Sequence, residues 1–445
     1  MCTRRTPPSL LICLPSHSAP DGRRPVHARY RLQLARRRGG STITATLRVL
    51  HVINQLTSRA GAEVSLLENI LGSANDIEQA VVLLRGPDDG LADLTSAGVR
   101  VLLPSVAEPG RLAAIAHVRR AIRVFRPDIV HTSLFDADVA GRLAAWLRGV
   151  PCLTSFVNTP YGPEARAAET APAGKLQAVQ TVDRLLSRHA TSAFHAISEA
   201  TADHAVRYLG VERERIRVVP RGRRAATLGE RTPDRRSSLR AELGWQQRPI
   251  VINVARQEPQ KGHLFLLQAF AEVLRAHPDA WLVLVGREGR STAAIEDKIR
   301  AFGLQHAVQR LGVRSDVADL LCAADVFAFT SLYEGLGGAA VEAAGAALPV
   351  ASFDIPAIRE VVGDDHPWLV PAQDAKALAG AIDEILIDED RAHAVGAGLR
   401  ERFLERYELS SVTEQMSQLY QDLHSALARQ PTSRLRRVPA LRAWP

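Results

Sequence analysis

Two short stretches combine charged side chains with glycine in a way that suits an anionic, hydroxyl-rich ligand. The first, RQEPQKG, starts at Arg256 and contains Lys261. The second, EGLGGAAVE, starts at Glu334 and ends at Glu342. Arginine offers phosphate a planar fork and lysine a compact charge, and a carboxylate accepts hydrogen bonds from neighbouring hydroxyls. The pattern favours a phosphate and sugar site, with a hydrolase using the two glutamates as acid and base as the rival.

Glycines separate the two glutamates. They let backbone N–H groups approach an anion, and a helix that begins near Gly338 adds partial positive charge at the same place. Glu342 then falls in the first or second turn of that helix, where it either contacts the ligand or merely complements the helix dipole. We expect the ligand-binding backbone to run through Gly335, Leu336, Gly337 and Gly338.

The elements that must position these residues follow one pattern from residue 46 onwards. Short β-rich runs alternate with longer helical ones, which predicts doubly wound parallel sheets. Periodicity fades over 221–238 and then restarts, so we predict an α/β protein of two Rossmann-like domains facing across a cleft. The predicted segments are a disordered basic extension (1–45), a first domain (46–225), a linker (226–244), a second domain (245–408), a helix that packs back on the first domain (409–430) and a disordered tail (431–445).

Ligands of open parallel sheets bind outside the carboxyl ends of the strands. Arg256 follows the predicted strand 250–255, and Glu334 follows the strand 325–331. His131 lies near the end of another strand, which predicts an imidazole at the cleft with either a structural or a catalytic role. Weaker candidates for the cleft, also near strand ends, are Asn158, Tyr161 and His195.

The sequence DAD, from Asp136 to Asp138, mimics a metal-binding motif. Both acids start a predicted helix, where negative charge is favourable without any metal. We therefore expect neither a metal nor a cofactor.

Charge is unevenly distributed along the chain. The net charge is +8, yet residues 1–45 alone hold nine arginines and one aspartate. The other 400 residues are balanced, with 47 basic and 47 acidic groups. A nucleic-acid-binding protein would carry its basic stripe on the folded domain, so we expect no nucleic-acid partner.

The four cysteines, Cys2, Cys13, Cys152 and Cys322, show no metal-binding spacing. No apolar run approaches the roughly 18 residues of a membrane-spanning helix. These observations favour a reduced, cytoplasmic protein. Peripheral association with the inner membrane face and the oligomeric state are left open.

The R-x4-K-G pattern followed by SLYEGLGGAAVEAAGAALPV resembles the retaining glycosyltransferases of the GT-B fold, glycosyltransferase family 4, with their E-x7-E signature. The stretches LGVRSDVADLLCAADVFAFTS and RPDIVHTSLF carry the same likeness. The resemblance spans roughly 46 to 428 in order.

This resemblance implies a sugar transferred with retention from a nucleotide-diphosphate donor, UDP-sugar first and GDP-mannose second. The first domain would take the acceptor and the second the nucleotide sugar. The acceptor would be a sugar, a lipid-linked sugar or a small molecule, and Asn158, Tyr161 and His195 would lie on its side of the cleft. Arg256 and Lys261 would hold the diphosphate, Glu334 the donor sugar and Glu342 the ribose. Other implied contacts are the base-framing Arg287, Val313 and Arg314, and Gly61 near the donor phosphate or the acceptor.

The chain departs from the family pattern at a few positions. Ala347 stands where the family often has glycine, Ala339 replaces the proline of a turn motif, and Ala60 replaces one of two glycines. Ser133 takes the place of the second histidine of an HxH motif. A catalytically weak sugar-nucleotide-binding or scaffold protein is therefore the alternative, and the role of His131 is left open.

Overall fold

The computed structural model describes residues 46–56, 61–73, 77–86, 91–105, 110–168 and 172–429. The predicted basic extension, Ala60 and the predicted C-terminal tail lie outside these residues. The strands are β1 (Leu47–Ile53), β2 (Ile77–Leu83), β3 (Arg100–Leu102), β4 (Ile129–Ser133), β5 (Cys152–Phe156), β6 (Ala193–Ala196), β7 (Ile216–Val218), β8 (Ile250–Val254), β9 (Trp281–Val285), β10 (Val308–Gly312), β11 (Val326–Phe329), β12 (Val350–Phe353) and β13 (Leu369–Val370).

Helices connect nearly all of these strands. They are α1 (Gly61–Gly72), α2 (Leu91–Ser96), α3 (Arg111–Phe125), α4 (Phe135–Arg148), α5 (Pro163–Ala168), α6 (Ala173–His189), α7 (Glu199–Leu209), α8 (Ala225–Leu228), α9 (Pro233–Leu243), α10 (His263–Ala276), α11 (Thr292–Ala301), α12 (Val317–Ala323), α13 (Gly338–Gly345), α14 (Pro356–Val362), α15 (Ala375–Ile387), α16 (Glu389–Arg406) and α17 (Leu409–Ala428).

The strands form two sheets whose recorded pairings are all parallel. The first has the order β3-β2-β1-β4-β5-β6-β7 and the second the order β10-β9-β8-β11-β12-β13. Each order reverses direction once, between β1 and β4 and between β8 and β11. The central strands are almost entirely buried because helices cover both faces of each sheet. This architecture confirms the predicted α/β class.

The last helix, α17, crosses to the first sheet. Val412, Met416 and Leu423 pack in one apolar cluster with Val49 and Leu153 of the sheet. The helix is amphipathic, and its apolar residues recur three to four positions apart, so one face is buried along its length. The first described strand, β1, and the last described helix, α17, therefore lie in the same half of the molecule.

The segment that we predicted as an irregular linker contains regular structure. Helix α9 starts after Thr232, whose side chain accepts a hydrogen bond from Arg235 N, and ends at Gly244 in the left-handed region. Arg235 and Arg240 on this helix reach Asp319 and Asp325 of the second half. Ion pairs of these arginines contribute more than a hydrophobic stripe to the packing of α9 against the second half. The sequence therefore shows no clear apolar period here.

Among the described residues, no helix combines the length and apolarity needed to cross a membrane.

Candidate active site

The loop after β8 presents both cations at the carboxyl edge of the second sheet. Arg256 is exposed, and Lys261 ends a short 3-10 turn that starts at Pro259. Gly262 follows with φ 65°, and a β-carbon there would lie 2.1 Å from the carbonyl oxygen of Thr330. Only glycine fits this position, so the loop lies directly against the chain that leaves β11.

Hydrogen bonds join this loop to the one after β11. Leu332 N donates to the Gln260 carbonyl at 2.8 Å, and the Gln260 side-chain amide donates to the Tyr333 carbonyl at 2.7 Å. The Thr330 hydroxyl donates to the Lys261 carbonyl at 2.9 Å. Since β8 and β11 are neighbouring strands, the two loops form one continuous floor for a ligand.

On this floor the Lys261 ammonium forms an ion pair with the Glu334 carboxylate. The two side chains are only 16% and 12% exposed, so solvent screens the pair weakly. An ammonium has three N–H donors, so the bond to Glu334 leaves others for an anionic ligand. The structure thus brings together two residues that lie 73 positions apart in the sequence.

The glycine-rich turn leads into α13 at the expected residue. Gly337 has φ 92°, in the left-handed region, and α13 begins at Gly338. No side chain caps this helix, so its first backbone N–H groups remain available to an anion. A β-carbon at Gly335 would lie 2.3 Å from the Val157 carbonyl oxygen, which brings the first half against this turn.

Glu342 has a partner that the sequence interpretation missed. Arg223 Nε donates to Glu342 Oε1 at 2.7 Å, and Arg223 Nη1 donates to the Ser65 hydroxyl at 3.1 Å. Glu68 lies 3.5 Å from the same guanidinium. Arg223 follows β7 in the sequence PRGRR, at the carboxyl end of a strand, which is the signal that could have identified it.

Two further charged residues that the sequence interpretation missed, Arg221 and Glu63, act on each other electrostatically. Burial lowers the pKa of Arg221 to about 10, helped by the nearby Arg223 and opposed by Glu63 and Glu334. Burial likewise raises the pKa of the Glu63 carboxyl, against the pull of Arg221, Arg256 and Arg287. Glu63 lies in the first turn of α1, so the cleft collects charge from both sheets.

The predicted base-framing residues lie on the loops after β9 and β10. Arg287 is exposed, and its carbonyl oxygen accepts a hydrogen bond from Gln257 N at 3.0 Å. Val313 is 55% exposed, and Arg314 Nε donates to Asp316 at 2.7 Å. All three side chains have the access to solvent that a ligand contact requires, and their role stays a prediction.

The placement of His131 at the cleft is corrected by the structure. Its imidazole is 4% exposed because α17 covers it: Nδ1 lies 2.8 Å from the Tyr420 hydroxyl and Nε2 lies 2.7 Å from the Ser155 hydroxyl. His195 is equally buried, with Nδ1 at 2.8 Å from Ser155 and Nε2 at 2.8 Å from the Val219 carbonyl. Both rings belong to the interior of the first half.

The two remaining candidates of the first half, Asn158 and Tyr161, differ in their exposure to solvent. Asn158 is exposed in the loop after β5, where its side chain accepts a hydrogen bond from Thr159 N. Tyr161 is 3% exposed, and its hydroxyl donates to Asp183, which also pairs with Arg142. Tyr161 therefore supports a buried ion network, which corrects its assignment to the acceptor side.

Gly61 is the first residue of α1.

Each acid of the DAD sequence lies beside an arginine. Asp136 pairs with Arg85 at 3.3 Å, whereas Asp138 is buried beside Arg142, and burial raises its pKa to about 7.

Two family models match the chain, one on each half. Residues 235–402 match the glycosyl transferases group 1, and residues 45–222 match the glycosyl transferase 4-like domain. The alpha-maltose-1-phosphate synthase of Mycolicibacterium smegmatis is 32% identical over 310 residues, which are 66% of this chain and 78% of the relative.

The chain is a group 1 glycosyltransferase.

Other curated relatives carry related names. The D-inositol 3-phosphate glycosyltransferase of Kineococcus radiotolerans is 30% identical over 324 residues, covering 65% of this glycosyltransferase and 71% of the relative. The 2-deoxystreptamine N-acetyl-D-glucosaminyltransferase of Streptomyces fradiae is 30% identical over 332 residues, covering 67% and 74%.

Solved structures show that the glycosyltransferase has the GT-B fold. Anabaena HepE in complex with UDP and glucose superimposes with a TM-score of 0.73 at 20% identity, over 84% of this chain and 99% of the other. The sucrose-phosphate synthase of Thermosynechococcus elongatus superimposes with a TM-score of 0.70 at 21% identity, over 85% and 100%. The predicted pair of facing Rossmann-like sheets is confirmed.

Direct contacts close the cleft of this glycosyltransferase. The Ser198 hydroxyl donates to the Gly335 carbonyl, and the Thr159 hydroxyl donates to the Glu334 carbonyl at 3.4 Å. The Glu360 carboxylate accepts from Glu199 N and Ala200 N, both at 2.8 Å, at the start of α7. The loop after β11 is therefore held by both halves.

Proposed function

We propose that the protein transfers a sugar from a nucleoside-diphosphate donor to a hydroxylated acceptor, with retention of anomeric configuration. UDP-sugar is the first donor candidate and GDP-mannose the second. The observation that carries the proposal is the floor formed by the two loops, where Lys261 and Glu334 meet beside the uncapped start of α13. Cations, backbone amides and a carboxylate at one strand edge suit a sugar diphosphate better than a neutral glycoside.

Each group has a role in this proposal. Arg256 and Lys261 hold the diphosphate and stabilise the charge that develops as it leaves. The amides from Gly335 to Gly338 contact phosphate, and Glu334 accepts hydrogen bonds from donor-sugar hydroxyls. Glu342, oriented by Arg223, accepts from the ribose. Arg287, Val313 and Arg314 frame the base.

The transfer itself needs no cofactor in this proposal. The acceptor oxygen forms a bond to the anomeric carbon on the face that the diphosphate leaves, while the bond from that carbon to the diphosphate oxygen breaks. The acceptor proton passes to a phosphate oxygen, so the products are the glycosylated acceptor and the nucleoside diphosphate. The buried His131 takes no part in this step.

The placement of the two glutamates disfavours the hydrolase. A glycosidase pair needs two carboxyl groups that flank one glycosidic bond. Here Glu334 is bound to Lys261 and Glu342 to Arg223, on separate elements of the site. Relatives also support a transferase, since HepE was solved with UDP and glucose.

A donor panel tests the proposal. UDP-glucose, UDP-N-acetylglucosamine, UDP-galactose and GDP-mannose are titrated calorimetrically and followed for slow hydrolysis. We expect Lys261→Ala and Glu334→Ala to weaken binding of the preferred donor by at least about 10-fold, the cost of one charge-assisted contact. Lys298→Ala, on α11 beside Phe302, is the matched control and leaves the affinity unchanged.

Unchanged donor affinity in both site variants contradicts the assignment. Tight binding without turnover, even with a broad acceptor panel, would instead favour the weakly catalytic binding or scaffold protein.

A further inference from the structure

The loop between β5 and α5 touches the chain that carries Glu334. A β-carbon at Gly335 would lie 2.3 Å from the Val157 carbonyl oxygen, so the two backbones are in direct contact. The Thr159 hydroxyl donates to the Glu334 carbonyl at 3.4 Å. The carboxylate of the same glutamate forms the ion pair with Lys261. The position of this first-half loop therefore affects where the Glu334 side chain lies on the floor.

Tyr161 fixes the loop through three hydrogen bonds. Its hydroxyl donates to Asp183 Oδ2 of α6 at 2.9 Å, and its backbone N–H donates to His204 Nε2 of α7 at 3.1 Å. Its carbonyl oxygen accepts from Arg166 Nε of α5 at 3.0 Å. Burial and the neighbouring Asp183 raise the pKa of the Tyr161 phenol, so the hydroxyl keeps its proton and donates. Contacts from three helices thus hold a residue two positions away from Thr159.

The acceptor of the Tyr161 hydroxyl is itself held in place. Asp183 Oδ1 accepts from Arg142 Nη1 at 2.7 Å, and Arg142 Nε donates to the Thr154 hydroxyl of β5 at 2.9 Å. Arg142 is buried, and so is Thr154. Hydrogen bonds between charged groups are strong, and a low local dielectric strengthens them further. Asp183 therefore offers the Tyr161 hydroxyl a fixed partner in the interior of the first half.

We propose that Tyr161 is a positioning residue for sugar transfer, which holds Glu334 through the loop after β5 where its carboxylate meets the donor sugar. The proposal rests on the glycosyltransferase function proposed above and deepens it. Tyr161 is buried and acts on Glu334 through Thr159, without touching a substrate itself. Arg256 and Lys261, which hold the diphosphate, belong to the loop after β8. A loosened β5 loop therefore weakens the contact to the sugar more than the contacts to the diphosphate.

Tyr161→Phe tests this role because it removes the hydroxyl and keeps the ring. The probes are the member of the donor panel that binds most tightly and its nucleoside diphosphate, UDP or GDP, each titrated calorimetrically into the full chain. We expect the variant to bind the sugar nucleotide about 5-fold more weakly, the effect of one net hydrogen bond, and the nucleoside diphosphate with unchanged affinity. Slow hydrolysis of the sugar nucleotide should fall by at least about 10-fold, because small displacements of a positioned group are costly to catalysis.

Thr159→Val tests the link between the loop and Glu334 without changing the buried network. It should cause the same selective loss, and adding Tyr161→Phe to it should weaken sugar-nucleotide binding little further, because both changes act on one contact. Tyr208→Phe is the matched control, since its ring also packs on His204, at a centroid distance of 4.6 Å, but belongs to α7 and not to the loop. It should leave both affinities and the hydrolysis rate unchanged. Urea denaturation checks that every variant is folded.

The outcomes separate this proposal from the function on which it rests. An equal loss of both ligands in Tyr161→Phe would show a general structural role and overturn the proposal, as would unchanged affinity for both. Additive effects of Tyr161→Phe and Thr159→Val, or an equal loss in Tyr208→Phe, would overturn it too. In each of these cases the unmodified protein still binds its donor, so the glycosyltransferase function stands. Failure of the unmodified protein to bind any nucleotide contradicts that function and this proposal with it.

Discussion

At the scale of single residues, Ala347 shows what a departure from a family pattern does. It has φ 53°, in the left-handed region that glycine favours. Its carbonyl oxygen lies 2.4 Å from the place where a β-carbon on Gly396 of α16 would be, so the turn is tightly packed. The packing around Ala347 therefore holds the alanine in an unfavourable conformation. The residue lies beyond the end of α13, away from the floor formed by the loops after β8 and β11.

Ala347→Gly should raise the free energy of unfolding by about 1 kcal/mol, because the left-handed conformation costs an L-residue roughly 1–2 kcal/mol and glycine little. Urea denaturation measures the change. Ala346→Gly is the control, since Ala346 has φ −85° and is buried, so glycine there should destabilise. A lower free energy of unfolding in Ala347→Gly would contradict the inference that Ala347 is strained.

Arg223 provides the second residue-scale prediction. Its guanidinium donates to Glu342 and Ser65 at once, so an arginine of the first half orients a carboxylate of the second, which we propose binds the donor. Arg223→Gln should weaken UDP binding by roughly 10-fold, the effect of losing one charge-assisted contact. When Glu342→Gln is already present, Arg223→Gln should weaken UDP binding little further. Calorimetry on the unmodified protein, the two single variants and the double variant measures the coupling between the two residues.

Arg224, the exposed neighbour of Arg223, supplies the control, and Arg224→Gln should leave UDP binding unchanged. Additive effects of Arg223→Gln and Glu342→Gln would show that the arginine acts independently of Glu342.

At the scale of elements, α17 is docked through a directional hydrogen-bond chain. The Val219 carbonyl can only accept, so His195 Nε2 carries a proton and Nδ1 accepts from Ser155. Ser155 then accepts from His131 Nε2, and His131 Nδ1 accepts from Tyr420 of α17. Burial lowers the pKa of both imidazoles, and with both rings neutral this arrangement of donors satisfies every hydrogen bond in the chain. The two histidines are thus part of the docking surface for the helix.

Acid should therefore loosen α17. Burial lowers the pKa of His195 to about 4 and that of His131 well below its usual value, and burial also lowers that of His51 to about 4. The unfolded chain takes up these protons near pH 6.5 and the folded chain does not. The contribution of these histidines to the free energy of unfolding is therefore fully present above pH 6.5. It falls as the pH drops towards 4, by about 1.4 kcal/mol for each histidine and each pH unit.

Denaturation curves between pH 7.5 and 4.5 measure this slope. His131→Gln should reduce it by the share of one histidine, and His189→Gln, an exposed histidine at the end of α6, should not. A flat profile above pH 5 would show that the buried histidines do not control stability.

At the scale of the whole molecule, contacts between the halves set the width of the cleft. Glu360 of the second half accepts hydrogen bonds from the first two N–H groups of α7 in the first half, so it acts as an N-terminal cap from another domain. Arg223, Ser198 and Thr159 make further polar bridges, and Ile197 of the first half packs into an apolar cluster of the second. Polar contacts between domains are weaker than a large hydrophobic interface, so we expect relative movement of the halves.

Glu360→Ala should open the cleft. The lost cap is worth about 1 kcal/mol, enough to shift a closed–open equilibrium several-fold. Small-angle X-ray scattering should show a larger radius of gyration in the absence of nucleotide. Glu405→Ala, an exposed acid on α16, should leave the radius unchanged. An identical radius in Glu360→Ala would mean that other contacts hold the halves together.

The local patterns of the chain predicted most of the fold. The alternation of β-rich and helical runs predicted a last helix from residue 409, where α17 starts, and the glycine-rich turn predicted a helix start near Gly338, where α13 begins. Helix α9 was not assigned because it lacks the apolar stripe that periodicity can detect, whereas α6 has such a stripe and was missed. Arg256, Lys261, Glu334 and Glu342 were predicted from residue type and their position after strands.

The sequence by itself determined the two sheets and the chemical character of the loops after β8 and β11, since both depend on short-range spacing. Only the tertiary structure decided which side chains meet. It put His131 and Tyr161 into the interior, paired Glu342 with Arg223, and brought the loop after β5 against Gly335. These contacts join positions tens to hundreds of residues apart, and their formation depends on the docking of helices and halves, which no local pattern encodes.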